Sequence, residues 1–110
     1  MADTATVVRR LDARAFLEGP ELCREYLAEE RMWFGTSTLQ PGQTGGLDAG
    51  HPGSVEVFYC AAGHAVVDDG TLVHELEAGD AVVIPPSVPH TITNVGAEPV
   101  VVVWAGAPGA

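Results

Sequence analysis

The residues best suited to chemistry lie in GHPGSVEVFYC, positions 50 to 60, where an imidazole, His51, precedes a carboxylate, Glu56, by five residues. Side chains alternate along a straight strand, so residues five apart point to opposite faces. Pro52 and Gly53 supply a turn between them, because proline presets φ and glycine accepts φ values that other residues avoid. With His51 ending one strand and Glu56 early on the next, both face one interior and can hold a metal ion. Glu56 sits inside the apolar run VEVFY, where an unpaired carboxylate is costly to bury. An arginine is the competing partner, but four of the five arginines lie in the first 30 residues. For His51 the competing account is simple solvent exposure in its loop.

A third candidate is His90, which follows the proline-stiffened loop PPSVP and opens the run HTITNV. As an isolated feature it also fits a strand-start histidine bonded to a carbonyl. His64 and His74 lie on an alternating segment where exposed histidines are ordinary, and they stay outside the proposed metal set. Other chemistries have few candidates. There is no lysine for a Schiff base, and Ser37, Ser54 and Ser87 stand in no nucleophile-elbow pattern. Cys23 and Cys60 lack CxxC spacing, so both are expected to be reduced and packed. No phosphate-cradling glycine loop or dinucleotide fingerprint is present, which speaks against organic cofactors.

These residues need a scaffold, and 110 residues at 46% hydrophobic content provide one domain with a modest core. A net charge of -10 opposes binding to phosphate backbones or anionic lipid, so neither nucleic acid nor membrane is an expected partner. The opening residues lack a signal-peptide h-region and no long apolar span occurs, so the expected location is cytoplasmic. The alanine-, glycine- and valine-rich usage without lysine suggests a bacterial, GC-rich source. Residues 1–30 carry five of the nine glutamates. There PELCREYLAEE predicts a short helix, with Pro20 at its first position and Leu22, Tyr26 and Leu27 on one face. From residue 31 onward, short β-rich runs alternate with Gly, Pro and Asp, including an Asp69-Gly70 hairpin signal. About seven strands predict an antiparallel sandwich or barrel. If Glu56 and Phe58 face inward, Val55, Val57 and Tyr59 face outward and need cover, for which a homodimer is the expected source.

The spacing in GDAVVIPPSVPHTITN resembles the second motif of the cupin superfamily, with Gly79, Pro85, Ser87, His90 and Asn94 at its fixed positions and Ser87 in place of the usual glycine. The first motif, a His-x-His pair followed by glutamate, is matched by His51 and Glu56, while Ala49 stands where the earlier histidine would be. The resemblance covers roughly residues 31–105. It implies an all-β, antiparallel jelly-roll barrel over 31–110, preceded by the helical arm of 1–30. It also implies His51, Glu56 and His90 as ligands to one divalent transition metal, and Asp48, beside the gap at Ala49, can reach the site through a small bulge. Such a mixed N/O donor set suits Fe, Mn, Ni, Co or Zn.

The expected function is then a metal-dependent enzyme of oxygenase, isomerase, lyase or cyclase type acting on a small organic molecule. The alternative is a non-catalytic small-molecule binding or sensor protein with a degenerate metal site. A barrel kept only for protein interaction is a third reading. Asn94, the only asparagine, is expected to make a structural turn contact.

Overall fold

The computed structural model describes residues 4–109. Among the described residues, nine antiparallel strands follow a single 3-10 turn at Arg10–Asp12: β1 (Arg14–Glu18), β2 (Glu21–Ala28), β3 (Trp33–Leu39), β4 (Val55–Ala62), β5 (His64–Asp68), β6 (Val73–Glu77), β7 (Ala81–Ile84), β8 (Thr91–Asn94) and β9 (Val100–Ala107). They form a six-stranded sheet in the order β1-β2-β3-β9-β4-β7 and a three-stranded sheet in the order β6-β5-β8. This is the all-β jelly-roll architecture expected from the sequence. The predicted helix over PELCREYLAEE does not form, and that segment is strand β2. Its inward side chains are Glu21 and Cys23, with Leu22 between them turned outward, which is a period of two. Pro20 does not start a helix. It completes the two-residue turn Gly19-Pro20 that joins β1 to β2, with Glu18 opposite Glu21 and Gly19 at φ +59°.

The two sheets enclose one core. Its inner rows are Leu39 on β3, Phe58 and Cys60 on β4, Ala65 and Val67 on β5, Leu76 on β6, Ile92 on β8, and Val100, Val102 and Trp104 on β9. Both cysteines are free and buried, as expected. Two cross-strand pairs shape the end of the barrel that carries the site: Gly35 faces Trp104 and Gly106 faces Trp33 across the β3–β9 ladder. A Cβ on either glycine would overlap the opposing indole, so the glycines give the tryptophans room to lie flat across the sheet.

Two sequence details resolve at the other end. Asn94 donates through Nδ2 to the carbonyls of Leu39 (3.0 Å) and Glu98 (2.8 Å) and accepts from the Gly96 amide (2.8 Å), the expected turn contact. The Asp69-Gly70 hairpin has four loop residues, because Asp68 pairs with Val73. Asp69 holds it: its Oδ1 accepts from the Thr71 and Leu72 amides and its Oδ2 meets His74 Nε2 at 2.8 Å. The His74 contact first, and the two amides after it, lower the Asp69 pKa to about 2. A depressed carboxylate stabilises the fold above its unfolded pKa of about 3.9, and that contribution is lost as pH falls toward the folded value. Asp69→Asn is therefore expected to lower the thermal midpoint at neutral pH. The gap to wild type should close as melts are taken from about pH 4 toward pH 2, and a gap independent of pH would contradict this assignment.

Candidate functional site

Strand pairing brings the chemical residues together. Glu56 lies on the inner face of β4, opposite Gly106 of β9 and Ile84 of β7. Only 5% of it is exposed. Its Oε2 accepts from the Trp33 indole Nε1 at 3.0 Å, so its orientation is set by the residue that Gly106 makes room for. Its charged neighbours are histidines: Oε1 lies 3.3 Å from His90 Nε2 and 3.7 Å from His51 Nε2. No arginine takes the partner role.

His90 arrives from the other sheet. The loop after β7 crosses between sheets and sets His90 in an antiparallel bridge with Asp48. The two residues exchange amide-to-carbonyl bonds of 3.0 and 2.9 Å. Residues paired in this way are directly opposite and project to one face. Asp48, rather than Ala49, therefore enters the site, with Oδ2 at 3.5 Å from His90 Nε2 and 3.3 Å from His51 Nε2. Ala49 falls on the outward side. The missing motif histidine is thus replaced in space by a carboxylate one position earlier. The Asp48 carboxylate is fixed by its Oδ1, which accepts from the Gly50 amide at 2.8 Å.

His51 follows in the loop, not at the end of a strand as the sequence suggests. Its ring packs on Trp33 with centroids 4.6 Å apart, and its side chain is 40% exposed at the cavity mouth. The turn at Pro52-Gly53 forms as expected, closed by the Ser54 amide on the His51 carbonyl. That carbonyl also accepts from the Ser87 amide, which locks the two motif loops together. Ser87 itself has φ +64°, the left-handed region where a side chain is strained. Ser87→Gly is therefore expected to stabilise the protein by roughly 1 kcal/mol. A rise in the denaturant midpoint at unchanged slope would verify it, and a fall would refute it.

The His90 ring has a defined tautomer. Its Nδ1 lies 3.0 Å from the Val88 carbonyl, which can only accept, so Nδ1 carries the hydrogen and Nε2 faces the carboxylates. Burial alone would lower the His90 pKa. Glu56, the Val88 carbonyl and Asp48 together outweigh burial and leave it raised. The buried Nε2 of His90 and Oε1 of Glu56 have no aligned hydrogen-bond partner. The His90 and His51 Nε2 atoms thus both stand within 3.7 Å of the Asp48 and Glu56 carboxylate oxygens. Their contacts of 3.3–3.7 Å compare with about 3.4 Å between tetrahedral donors each about 2.1 Å from an ion. Asp48, Glu56 and His90 lie close enough together to hold a metal ion, with the predicted ligand His51 just outside that group; Glu18, Glu21 and Cys23 form a second such group among the described residues. The residues present fit a cation.

The site opens into a cavity of about 470 Å³, within the range of small-molecule pockets. Phe16, Trp33, Phe58 and Trp104 give it aromatic walls. Phe58 also meets the His90 ring edge-on at 5.1 Å. Glu21 and Cys23 of β2 form part of the lining, which sequence reasoning missed by placing them on a helix. The period-two pattern of the FLEGPELC segment around Gly-Pro was the available signal. Burial pushes the Cys23 thiol up to about 12, so it stays protonated and is no nucleophile. His74 instead bonds Asp69, and His64 stands 3.5 Å from Glu75 without an aligned hydrogen bond; neither lines the cavity.

The cupin domain family matches residues 35–106. No curated protein matches the chain significantly. Among solved structures, the chain is similar to the TT1209 protein from Thermus thermophilus, with 26% identity, TM-score 0.74, and coverage of 93% of this chain and 96% of that one. It is similar to a Thermotoga maritima protein described as a predicted oxalate decarboxylase, with 22% identity, TM-score 0.78, and coverage of 94% and 99%. A third likeness is to the cupin domain of an XRE family transcriptional regulator from Enterobacter cloacae, at 15% identity, TM-score 0.72, and coverage of 80% and 96%. The last two likenesses carry the fold alone.

Proposed function

The chain belongs to the cupin family, and on that premise we propose that it is a metal-dependent enzyme acting on a small organic molecule. The observation that carries this reading is the pair of buried atoms, Glu56 Oε1 and His90 Nε2, which face one another at 3.3 Å beside Asp48 without an aligned hydrogen bond. His51, Glu56 and His90 are the proposed ligands, with Asp48 as the fourth. Bound there, a divalent ion of Fe, Mn, Ni, Co or Zn type would supply Lewis-acid polarisation of a ligand oxygen.

The chain's own residues do the rest. Trp33 holds the Glu56 carboxylate with Oε1 inward, and the Val88 carbonyl holds His90 with Nε2 inward. His51, the most exposed of the four, stands where an entering molecule first meets the site. The aromatic walls exclude water from a substrate body. Oxygenase, isomerase, lyase and cyclase chemistry all fit such a site. The test is titration of chelator-treated protein with Co(II), with absorbance following ligand-field bands. One equivalent with saturable bands supports the reading. A flat titration, with a thermal shift from a small molecule in metal-free protein, supports the non-catalytic binding alternative.

Two further readings complete the proposal. No helix of the described residues is long and apolar enough to cross a membrane, and with the acidic charge this favours a cytoplasmic protein. The outer face of the large sheet carries an apolar row, with Leu27, Phe34, Ala105, Val57 and Val83 adjacent in register across five strands. Strands β1 and β2 extend the sheet edge and leave this face open. A homodimer through this row is the proposed cover. Val57→Asp is expected to convert a dimer to a monomer in light-scattering mass measurements, and a wild-type monomer would refute it.

A further inference from the structure

The charge around the cavity is one-sided. Its ionisable lining consists of Glu18, Glu21, Glu25, Glu29, Asp48 and Glu56 with His51 and Cys23, and among the described residues no arginine or lysine lines it. Two of these carboxylates are already paired at the rim, Glu25 with Arg14 at 3.1 Å and Glu29 with Arg31 at 2.6 Å. Asp48 and Glu56 would offset the two charges of a divalent ion held at the cluster. Glu18 and Glu21 remain, side by side across the β1–β2 turn.

Glu21 is held in place. The Trp104 indole donates to Ser37 Oγ at 2.9 Å, and Ser37 in turn donates to Glu21 Oε2. The other carboxylate oxygen rests against Gly45, where a Cβ would overlap it. Only 6% of Glu21 is exposed. Burial raises its pKa against the opposing Ser37 and Cys23 bonds. Burial and the neighbouring Glu21 carboxylate raise Glu18 as well. The aromatic walls favour a planar or cationic body.

We propose that Glu18 and Glu21 are specificity residues that select ligands carrying an ammonium or hydroxyl donor at the end remote from the His51, Glu56 and His90 cluster, and that exclude ligands carrying a carboxylate there. This rests on the reading that the ligand's other end is an oxygen chelator seated at the cluster. A second carboxylate would meet the Glu18 and Glu21 carboxylates, while the rim arginines are engaged elsewhere, Arg14 with Glu25 and over the Phe16 ring and Arg31 with Glu29; an ammonium gains an ion partner and the faces of Trp33, Phe58 and Trp104.

The test is calorimetry on Zn(II)-loaded protein with 4-(aminomethyl)benzohydroxamate, 4-methylbenzohydroxamate and 4-carboxybenzohydroxamate, which share a chelating head and differ in the charge at the far end. The aminomethyl compound is expected to bind about tenfold more tightly than the carboxy compound. Glu18→Gln, at an exposed position that folding tolerates, and Glu21→Gln, a near-isostere, are each expected to cut that ratio by about threefold or more. Glu98→Gln, an exposed change of equal charge outside the cavity, should leave it unaltered. A ratio near one, a reversed ratio, or a ratio unmoved in both cavity variants would overturn the proposal. Failure of the metal reading has a different signature: hydroxamates binding no better than benzylamine and benzoate. That non-chelating pair still measures the preference for a cation over an anion.

Discussion

Glu56→Ala is expected to weaken divalent-metal binding by roughly 100-fold or more, since even residues that only orient a metal ligand are worth about 10–100-fold. Three effects combine at this position. The substitution deletes the oxygen that faces both His51 and His90, strips His90 of the negative charge that helps hold its pKa up, and leaves the Trp33 indole without its acceptor. The last effect is structural, so the alanine variant should also melt earlier, by the order of 1–3 kcal/mol for an orphaned buried donor. Glu56→Gln separates the two roles. Its side-chain oxygen can still accept from Trp33, so stability should return to near the wild-type value. Its amide is a poor substitute for a carboxylate ligand, so metal affinity should stay low. Competition with a chromophoric chelator gives the affinity and thermal melts give the stability. Full metal affinity in Glu56→Gln would show that the glutamate is there for Trp33 alone.

Gly50→Ala should cause a large loss of stability. Gly50 has φ +92°, and a Cβ there would stand 2.8 Å from the Ser87 carbonyl carbon and from Val88 N and O. These are backbone atoms of the loop that delivers His90, so nothing flexible can move aside. Strain in a sparsely populated backbone region costs about 1–3 kcal/mol, and overpacking adds about 1–3 kcal/mol. Together they predict a fall in melting temperature on the order of 10 °C for a domain of this size. The change should also displace the Asp48 carboxylate, whose Oδ1 is held by the Gly50 amide, and the bond from Ser87 to the His51 carbonyl. A variant that melts within a degree or two of wild type would mean the two loops are not packed as described.

The site was legible in the sequence to the extent that its residues carry strand periodicity or motif spacing. Glu56, Phe58 and Cys60 alternate inward along β4 as their positions imply. Val55 and Tyr59 alternate outward. Glu56 lies 3.3 Å from His90, which arrives from a different sheet, and 3.7 Å from the half-exposed His51. The contribution of Asp48 depends on a single bridge to His90, which an irregular loop conceals. Trp33 as the holder of Glu56 follows from the pairing of β3 and β4 with β9 on either side, a relation among distant segments that no local pattern encodes. The helix predicted over residues 20–30 had Pro20, an acidic first turn and a passable apolar face. Tertiary context decided otherwise, because Gly19-Pro20 forms a tight turn and the sheet edge at β3 offers partners to the backbone groups of β2.

The central claim, that the converging histidines and carboxylates hold a metal, is tested most directly by elemental analysis. The samples are purified tag-free wild type, Glu56→Ala and His90→Ala, each after incubation with an equimolar mixture of the five candidate ions and exhaustive dialysis. The account predicts about one transition-metal ion per chain in wild type, and a small fraction of that in either variant. Wild type that retains no metal, or a His90→Ala variant that keeps a full equivalent, would contradict it.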